Sequence, residues 1–283
     1  MGFDLHPGPS LARTLAAQGF DTFALELRGR GLSERPRLGG ARRYGWDFDA
    51  YLRRDLPAAV DRVLREVGAS RAHWVGHSMG GVLLYAALAT GAEWVRSGVA
   101  LGSALDYSGS PSDFQALLAI QGLTRVLPAL PFGPMAWVTS PLAGRVPNRI
   151  EEFNIWPRNV EPAVARQVNA SCFHPVSTPV LLQLSSALEP GGLRSADGAL
   201  RYAEGLGVAR APVLALVATK DRQCHPDAAR RTLEGLGSLR KEVHVLGPDA
   251  GCAEHYGHFD LLCGRHAHLE VFPRVLAWLR EHD

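Results

Sequence analysis

The sequence predicts an α/β fold: a mostly parallel sheet with helices on both faces, interrupted by a long helical insertion. Three observations predict it. Short apolar runs alternate with segments of helical spacing, the pattern of strands buried on both faces. A glycine-flanked turn, Gly76-His77-Ser78-Met79-Gly80, hands one such run directly to a helix. Between Leu105 and about Leu206 strand spacing stops, and prolines such as Pro111, Pro128, Pro131, Pro134, Pro141, Pro157, Pro162 and Pro179 break the chain into short helical pieces.

Taken in order, Leu11 to Gln18 reads as a helix ended by Gly19, and Phe20–Leu27 as a strand followed by the Arg28-Gly29-Arg30-Gly31 turn. Asp47 can cap a helix running through Tyr51, Leu52, Leu56, Val60, Val63 and Val67, with Pro57 kinking it. Ala72–Val75 is a short strand. Val82 to Ala89 is the helix after the turn, closed by Thr90-Gly91, and Val95–Leu101 is the next strand. The region 105–206 is too long for a structureless loop and reads as a set of short helices forming a lid. After it come the strand Val213–Ala218, a helix from Asp227 to Leu236, the strand Glu242–Leu246 and a last helix carrying Leu269, Phe272, Leu276 and Leu279. The expected division is therefore core (1–104), helical lid insertion (105–206) and core again (207–283). No internal repeat is apparent.

Composition narrows the class. Hydrophobic residues make up 46% and charged residues 20% of the chain, ordinary for a globular protein, and the net charge is +2. Lys220 and Lys241 are the only lysines, and no basic run with interleaved aromatics appears, so nucleic acid is not an expected partner. Asp4 and the Pro7–Pro9 turn interrupt any apolar leader, and no apolar run has the length of a membrane span. The default location is cytoplasmic, and the oligomeric state is open. Cys172, Cys224, Cys252 and Cys263 follow no disulfide-scaffold spacing and read as reduced thiols. Cys252, His255, His258, Cys263, His266 and His268 crowd into one stretch, but the paired cysteines of a zinc knuckle are absent. No metal and no cofactor are expected.

The chemistry sits on the turn at Ser78. A serine between a strand and a helix, with glycine two residues to either side, is a nucleophile elbow, and the strained turn lifts the hydroxyl above the sheet. Such a serine needs a base and an acid to orient that base. Asp221, directly after the Val213–Ala218 strand, is the expected acid. Asp106 is a second candidate. His258, in the loop Glu254-His255-Tyr256-Gly257-His258-Phe259-Asp260, is the expected base, with His255 its rival. The order Ser78, Asp221, His258 is one of the known orders of this constellation. The amide of Met79, at the helix N-terminus, is placed to meet a developing oxyanion.

These pieces resemble an α/β-hydrolase-fold serine hydrolase of the lipase and esterase-like branch. The residues that carry the resemblance are Leu11 to Asp21, Leu25 to Ser33 with its Arg28-Gly29-Arg30-Gly31 turn, the elbow Gly76 to Gly81, Asp221 with Pro226, and Gly257-His258. The resemblance implies an acyl-enzyme on Ser78, ester substrates and a lid after the Val95–Leu101 strand. It also exposes a departure. In that family three strands precede the Leu11–Gln18 helix, and the third ends in a His-Gly loop that supplies a second oxyanion amide. Here Met1–Pro9 leaves no room for a strand. The expectation is an N-terminally incomplete sheet lacking the strand between Phe20–Leu27 and Ala72–Val75. The second oxyanion donor is then not in this chain, and these 283 residues alone have weak or no activity.

Substrate chemistry rests on the lid. Phe114, Leu117, Leu118, Ile120, Leu123, Val126, Leu127, Phe132, Met135, Trp137, Ile155 and Trp156 offer apolar surface for an acyl pocket or merely pack the lid down. The expected substrate is a small-molecule ester with an apolar or lipid-like acyl group. The alternatives are an acyltransferase of the same fold, or a hydrolase-like binding protein impaired by the absent oxyanion strand.

Overall fold

The computed structural model describes residues 2–5, 10–36, 43–115, 127–145 and 148–283. Its centre is a parallel sheet of β1 (Ala72–His77), β2 (Val95–Leu101), β5 (Val213–Ala218) and β6 (Lys241–Leu246), in the order β1-β2-β5-β6. Between β2 and β5 in the chain, β3 (Ala129–Leu130) and β4 (Val176–Ser177) form a small antiparallel pair. The α/β class and the mostly parallel sheet covered by helices, read from the sequence, are observed. The two-stranded antiparallel pair β3–β4 was not among its expectations.

Alternation along the strands explains why the sheet is buried on both faces. Ala100 of β2 and Val213 and Ala215 of β5 face one core, with Leu83, Leu84, Tyr85 and Leu88 of the helix Met79–Ala89. Their neighbours Val99, Leu101, Leu214 and Leu216 face the other core, with Leu11, Leu15, Val271, Phe272 and Val275. Side chains two apart share a face, so strands covered by helices on both sides must be apolar throughout. The helix Met79–Ala89 is apolar all round for the same reason: Gly81 to Leu88 are all buried.

Register puts the loops that matter at one end. His77 pairs with Leu101, and Leu101 with Leu216, so β1, β2 and β5 finish close to level, and Ala218 pairs with Leu246 of β6. In open parallel sheets the crevice beyond the carboxyl ends is where ligands bind. Ser78, Gly102, Asp221 and His258 all follow strand ends on that side.

Three expectations need correction. Phe20–Leu27 is not a strand: it runs without ladder pairing among the described residues, with Phe23 and Leu25 exposed. A strand exists only with a backbone partner, and the sheet as described ends at β1. The Asp47 helix is three pieces, Phe48–Ala50 capped by Asp47, a π-helical turn Tyr51–Asp55, and Leu56–Val67 with Pro57 in its first turn. The missing proline N–H is accommodated by the widened turn before it. The last helix is split, Ala267–Glu270 then Phe272–Glu281 with Pro273 in its first turn. Leu269 consequently points to solvent, and Val275 and Trp278 join Phe272 and Leu279 in the core.

Residues 183–202 are tied to the helix Phe48–Ala50 through a buried carboxylate. Asp49 accepts hydrogen bonds from Tyr202 Oη at 2.6 Å, Gln183 Nε2 at 2.5 Å and the Ala196 amide at 3.1 Å, while Gln183 Oε1 takes the Phe48 amide at 2.9 Å. Charge-assisted bonds of this kind are the stronger class, and several on one group fix how the two parts meet.

Candidate active site

Ser78 is the one non-glycine residue with positive φ among the described residues, at φ 52° and ψ −119°. That conformation costs about 1–3 kcal/mol and persists only where the surroundings enforce it. They do. The Ser78 amide donates to the Leu101 carbonyl at 2.9 Å, its own carbonyl accepts from the Gly81 and Val82 amides and from Ser103 Oγ at 2.8 Å, and the chain turns at once into the helix Met79–Ala89. Gly76 is obligatory here, because a Cβ would stand 2.3 Å from the Gly80 carbonyl. The first amides of the helix have no carbonyl a turn earlier and point out of its N-terminus. Met79 begins that helix.

Asp221 and His258 meet as a buried pair. His258 Nδ1 lies 2.7 Å from Asp221 Oδ2, and both side chains are almost fully shielded from solvent. Asp221 Oδ1 accepts the amides of Gln223 at 2.7 Å and Cys224 at 2.9 Å, which locks the carboxylate in its turn after β5. The pairing leaves Nε2 of His258 as the free ring nitrogen. A Cβ on Gly102 would lie 3.0 Å from both Asp221 Oδ2 and His258 Nδ1, and Gly102 directly follows Leu101, the acceptor of the Ser78 amide. The pair therefore leans on the backbone beside the elbow.

The expected Ser78–His258 hydrogen bond is not formed. Nε2 of His258 is buried with no partner, and the Ser78 hydroxyl makes no hydrogen bond among the described residues. A serine hydroxyl turns about one torsion, and such bonds are commonly long without substrate, tightening only when it binds. Met79 Sδ is approached at 3.9 Å by Arg30 Nη2, which brings the arginine-glycine turn alongside the elbow.

The other candidates go elsewhere. Asp106 Oδ1 accepts from the Ser108 amide at 2.8 Å and from Ser108 Oγ at 2.5 Å, and it lies 3.6 Å from Arg231, so this carboxylate serves its own loop. His255 Nδ1 contacts Thr219 Oγ1 at 3.0 Å. His225 caps the helix Pro226–Glu234. Among the described residues no group of three or more His, Cys, Asp or Glu is arranged to hold a metal ion, and all four cysteines are unbridged.

Two residues that sequence reasoning passed over belong to this site. His77 Nε2 donates to the His258 carbonyl at 3.0 Å, and its ring packs against that of His258 with centroids 4.6 Å apart and planes tilted by 48°. Desolvation, and then the neighbouring His258, push its pKa down to about 3, so it stays neutral and supports the His258 loop without adding charge. Its signal was its place inside the elbow. The second is Asp260, fully buried two residues after His258.

Desolvation is the main reason the Asp260 pKa is pushed up to about 7 from 3.8. In the folded chain Asp260 keeps its proton where the unfolded chain has lost it. Between about pH 4 and pH 7 the folded state therefore binds more protons. Its contribution to stability declines as pH rises through that window, by up to about 1.4 kcal/mol per unit, and is level above it. Melting temperatures of the wild type and of Asp260→Asn will show this as a gap that shifts in favour of the asparagine variant from pH 4 to pH 8.

Residues 9–170 match the family described as serine aminopeptidase, S33, which covers more than half of the chain. The chain belongs to this family. Its fold is that of an α/β hydrolase of lipase and esterase-like kind. The match contains the Ser78 elbow and ends before Asp221 and His258. Among curated proteins, human gastric triacylglycerol lipase is 31% identical over 87 residues, which is 30% of this chain and 22% of the lipase, and the mouse protein matches to the same extent. The match thus spans about a fifth of those relatives. Among solved structures, the monoacylglycerol lipase of Paleococcus ferrophilus superposes with a TM-score of 0.65 at 20% identity, covering 96% of this chain and 88% of that one. A meta-cleavage product hydrolase from Pseudomonas fluorescens gives 0.57 at 17% identity, covering 98% and 88%. At such identities these structures establish the shared fold alone.

Proposed function

We propose that this chain is a serine hydrolase that cleaves carboxylic esters through an acyl-enzyme on Ser78. The observation that carries the reading is the strained Ser78 turn at the same sheet end as a buried Asp221–His258 pair whose Nε2 has no other partner. A hydroxyl becomes a useful nucleophile only with a base at hand, and the base works only when its far nitrogen is held. In this reading His258 Nε2 takes the Ser78 proton as Oγ attacks the ester carbonyl. Asp221 keeps the proton on Nδ1 and stabilises the imidazolium. The Met79 amide donates to the oxyanion. The imidazolium then protonates the leaving alcohol, water attacks the acyl-enzyme with His258 again as base, and the free acid leaves. No step calls for a cofactor.

Ester substrates with an apolar acyl group are favoured by two observations. The relatives that match by sequence are named as triacylglycerol lipases. The helix Phe132–Thr139 has no buried residue and exposes Met135, Trp137 and Val138. We take residues 105–206 as a lid over Ser78 whose apolar side chains meet the acyl chain. Ile155 is not one of them, since it is buried in a core cluster with Val160 and Val168. Leu117, Leu118, Ile120, Leu123 and Val126 lie outside the described residues.

Release of p-nitrophenol from p-nitrophenyl butyrate and octanoate tests the reading. Turnover by the full chain, with no ester formed when a primary alcohol is added, supports hydrolysis. Conversion of the added alcohol to its butyrate ester would move the assignment to acyl transfer. A folded chain that releases p-nitrophenol no faster than its Ser78→Ala variant contradicts the reading and leaves a binding protein.

A further inference from the structure

Asp260 stands where a buried carboxyl is costly and where a neutral side chain of the same shape would serve as well for packing. Its Oδ1 accepts the Trp156 amide at 3.1 Å, and the Gly257 amide also bonds to the carboxyl, so it grips the chain just before His258. The buried Asn159 side chain lies alongside the carboxyl and, with the Trp156 and Gly257 amides, partly offsets the cost of its burial.

The segment it grips braces both halves of the acid–base pair. The Phe259 amide donates to the Asn154 carbonyl at 2.8 Å and the Arg265 amide to the Asn159 carbonyl at 2.7 Å, which ties the His258 loop to residues 154–159. Gln223 Nε2, in the Asp221 turn, bonds to the Phe153 carbonyl at 3.0 Å and Asn154 Oδ1 at 3.1 Å, which ties the acid to the same segment. The titratable groups facing Asp260 are Asp221 from the acid turn, Tyr256 from the His258 loop and Cys263 from its own helix. The phenol and the thiol are both pushed up by burial and stay neutral, so the carboxylate that faces Asp260 is Asp221, which holds Nδ1 of His258.

We propose that Asp260 is a positioning residue for His258: its carboxylate fixes the loop carrying the base and adds a second negative charge that favours the imidazolium formed when Ser78 is deprotonated. This inference rests on the proposed function of the site. Burying such a charge is a stability cost that an active site accepts for its electrostatic effect. Because desolvation raises its pKa to about 7, the charge comes and goes across neutral pH.

The test is the pH profile of kcat/KM on p-nitrophenyl butyrate for the wild type and Asp260→Asn, which keeps an oxygen for the Trp156 amide. The expected result is a loss of about tenfold in the variant at pH 8 that shrinks to less than twofold near pH 5.5, where the wild-type carboxyl is protonated. A loss equal at all pH values, or no loss, would overturn the proposal. Should the variant fail to fold, the wild-type profile decides: an acidic limb steeper than one proton supports the proposal, and a one-proton limb overturns it. Turnover that survives in Ser78→Ala would instead defeat the underlying reading, whatever Asp260→Asn does.

Discussion

Replacing Ser78 with alanine is expected to lower kcat on p-nitrophenyl butyrate by on the order of 10⁶-fold while leaving a folded protein. The size follows from the role. Ser78 forms the covalent bond, and with it gone the base has nothing to activate and the acyl group nowhere to go. What survives is the weak effect of binding and of the Met79 amide, which alone still exceed the reaction in water. Folding should not suffer, because the interactions that enforce the turn are made by the Ser78 backbone: its amide to Leu101, its carbonyl to Gly81, Val82 and Ser103. Alanine at φ 52° carries the same strain as serine, so the melting temperature should stay within a few degrees. Steady-state kinetics and a melting curve on the same preparation check both halves.

Asp221→Asn is expected to cost about 10⁴-fold in kcat with little loss of stability, for a different reason. Asparagine can still offer Oδ1 to the Gln223 and Cys224 amides, so the turn after β5 is kept. Toward His258 it presents an N–H where the carboxylate presented Oδ2, 2.7 Å from Nδ1. The imidazole must then accept at Nδ1 and carry its proton on Nε2. That tautomer cannot take a proton from Ser78. Rate loss without unfolding would identify Asp221 as the partner that sets the tautomer. A loss below tenfold would remove it from that role, and Asp106, held by Ser108 and Arg231, stands too engaged with its own loop to replace it.

Much of this site was legible in the sequence because its parts are local. The strand-to-helix turn at Ser78 needs only a glycine pattern and an apolar run. Asp221 follows a six-residue apolar strand, and Gly257-His258 is a short motif. All three readings depend on residues within a few positions of one another. The rest depended on contacts that are far apart in the chain. Phe20–Leu27 has strand composition, yet whether it pairs is decided by a neighbouring backbone and not by its own residues. Asp260 stood in the loop that supplied His258, but only the packing of residues 154–159 against that loop, a hundred positions earlier, buries its carboxyl. The helix carrying Tyr51 was read with a kink at Pro57, but the π-helical turn before that proline leaves no mark in apolar spacing. Ile155, for which the apolar pattern left pocket and packing equally open, is core, a choice that only its neighbours Val160 and Val168 decide.

The most direct test of the account is to treat the full chain with a fluorophosphonate and map the adduct by peptide mass spectrometry. The account predicts one stoichiometric adduct on the peptide containing Ser78. A folded chain that takes no adduct, or takes it on another serine, would contradict it.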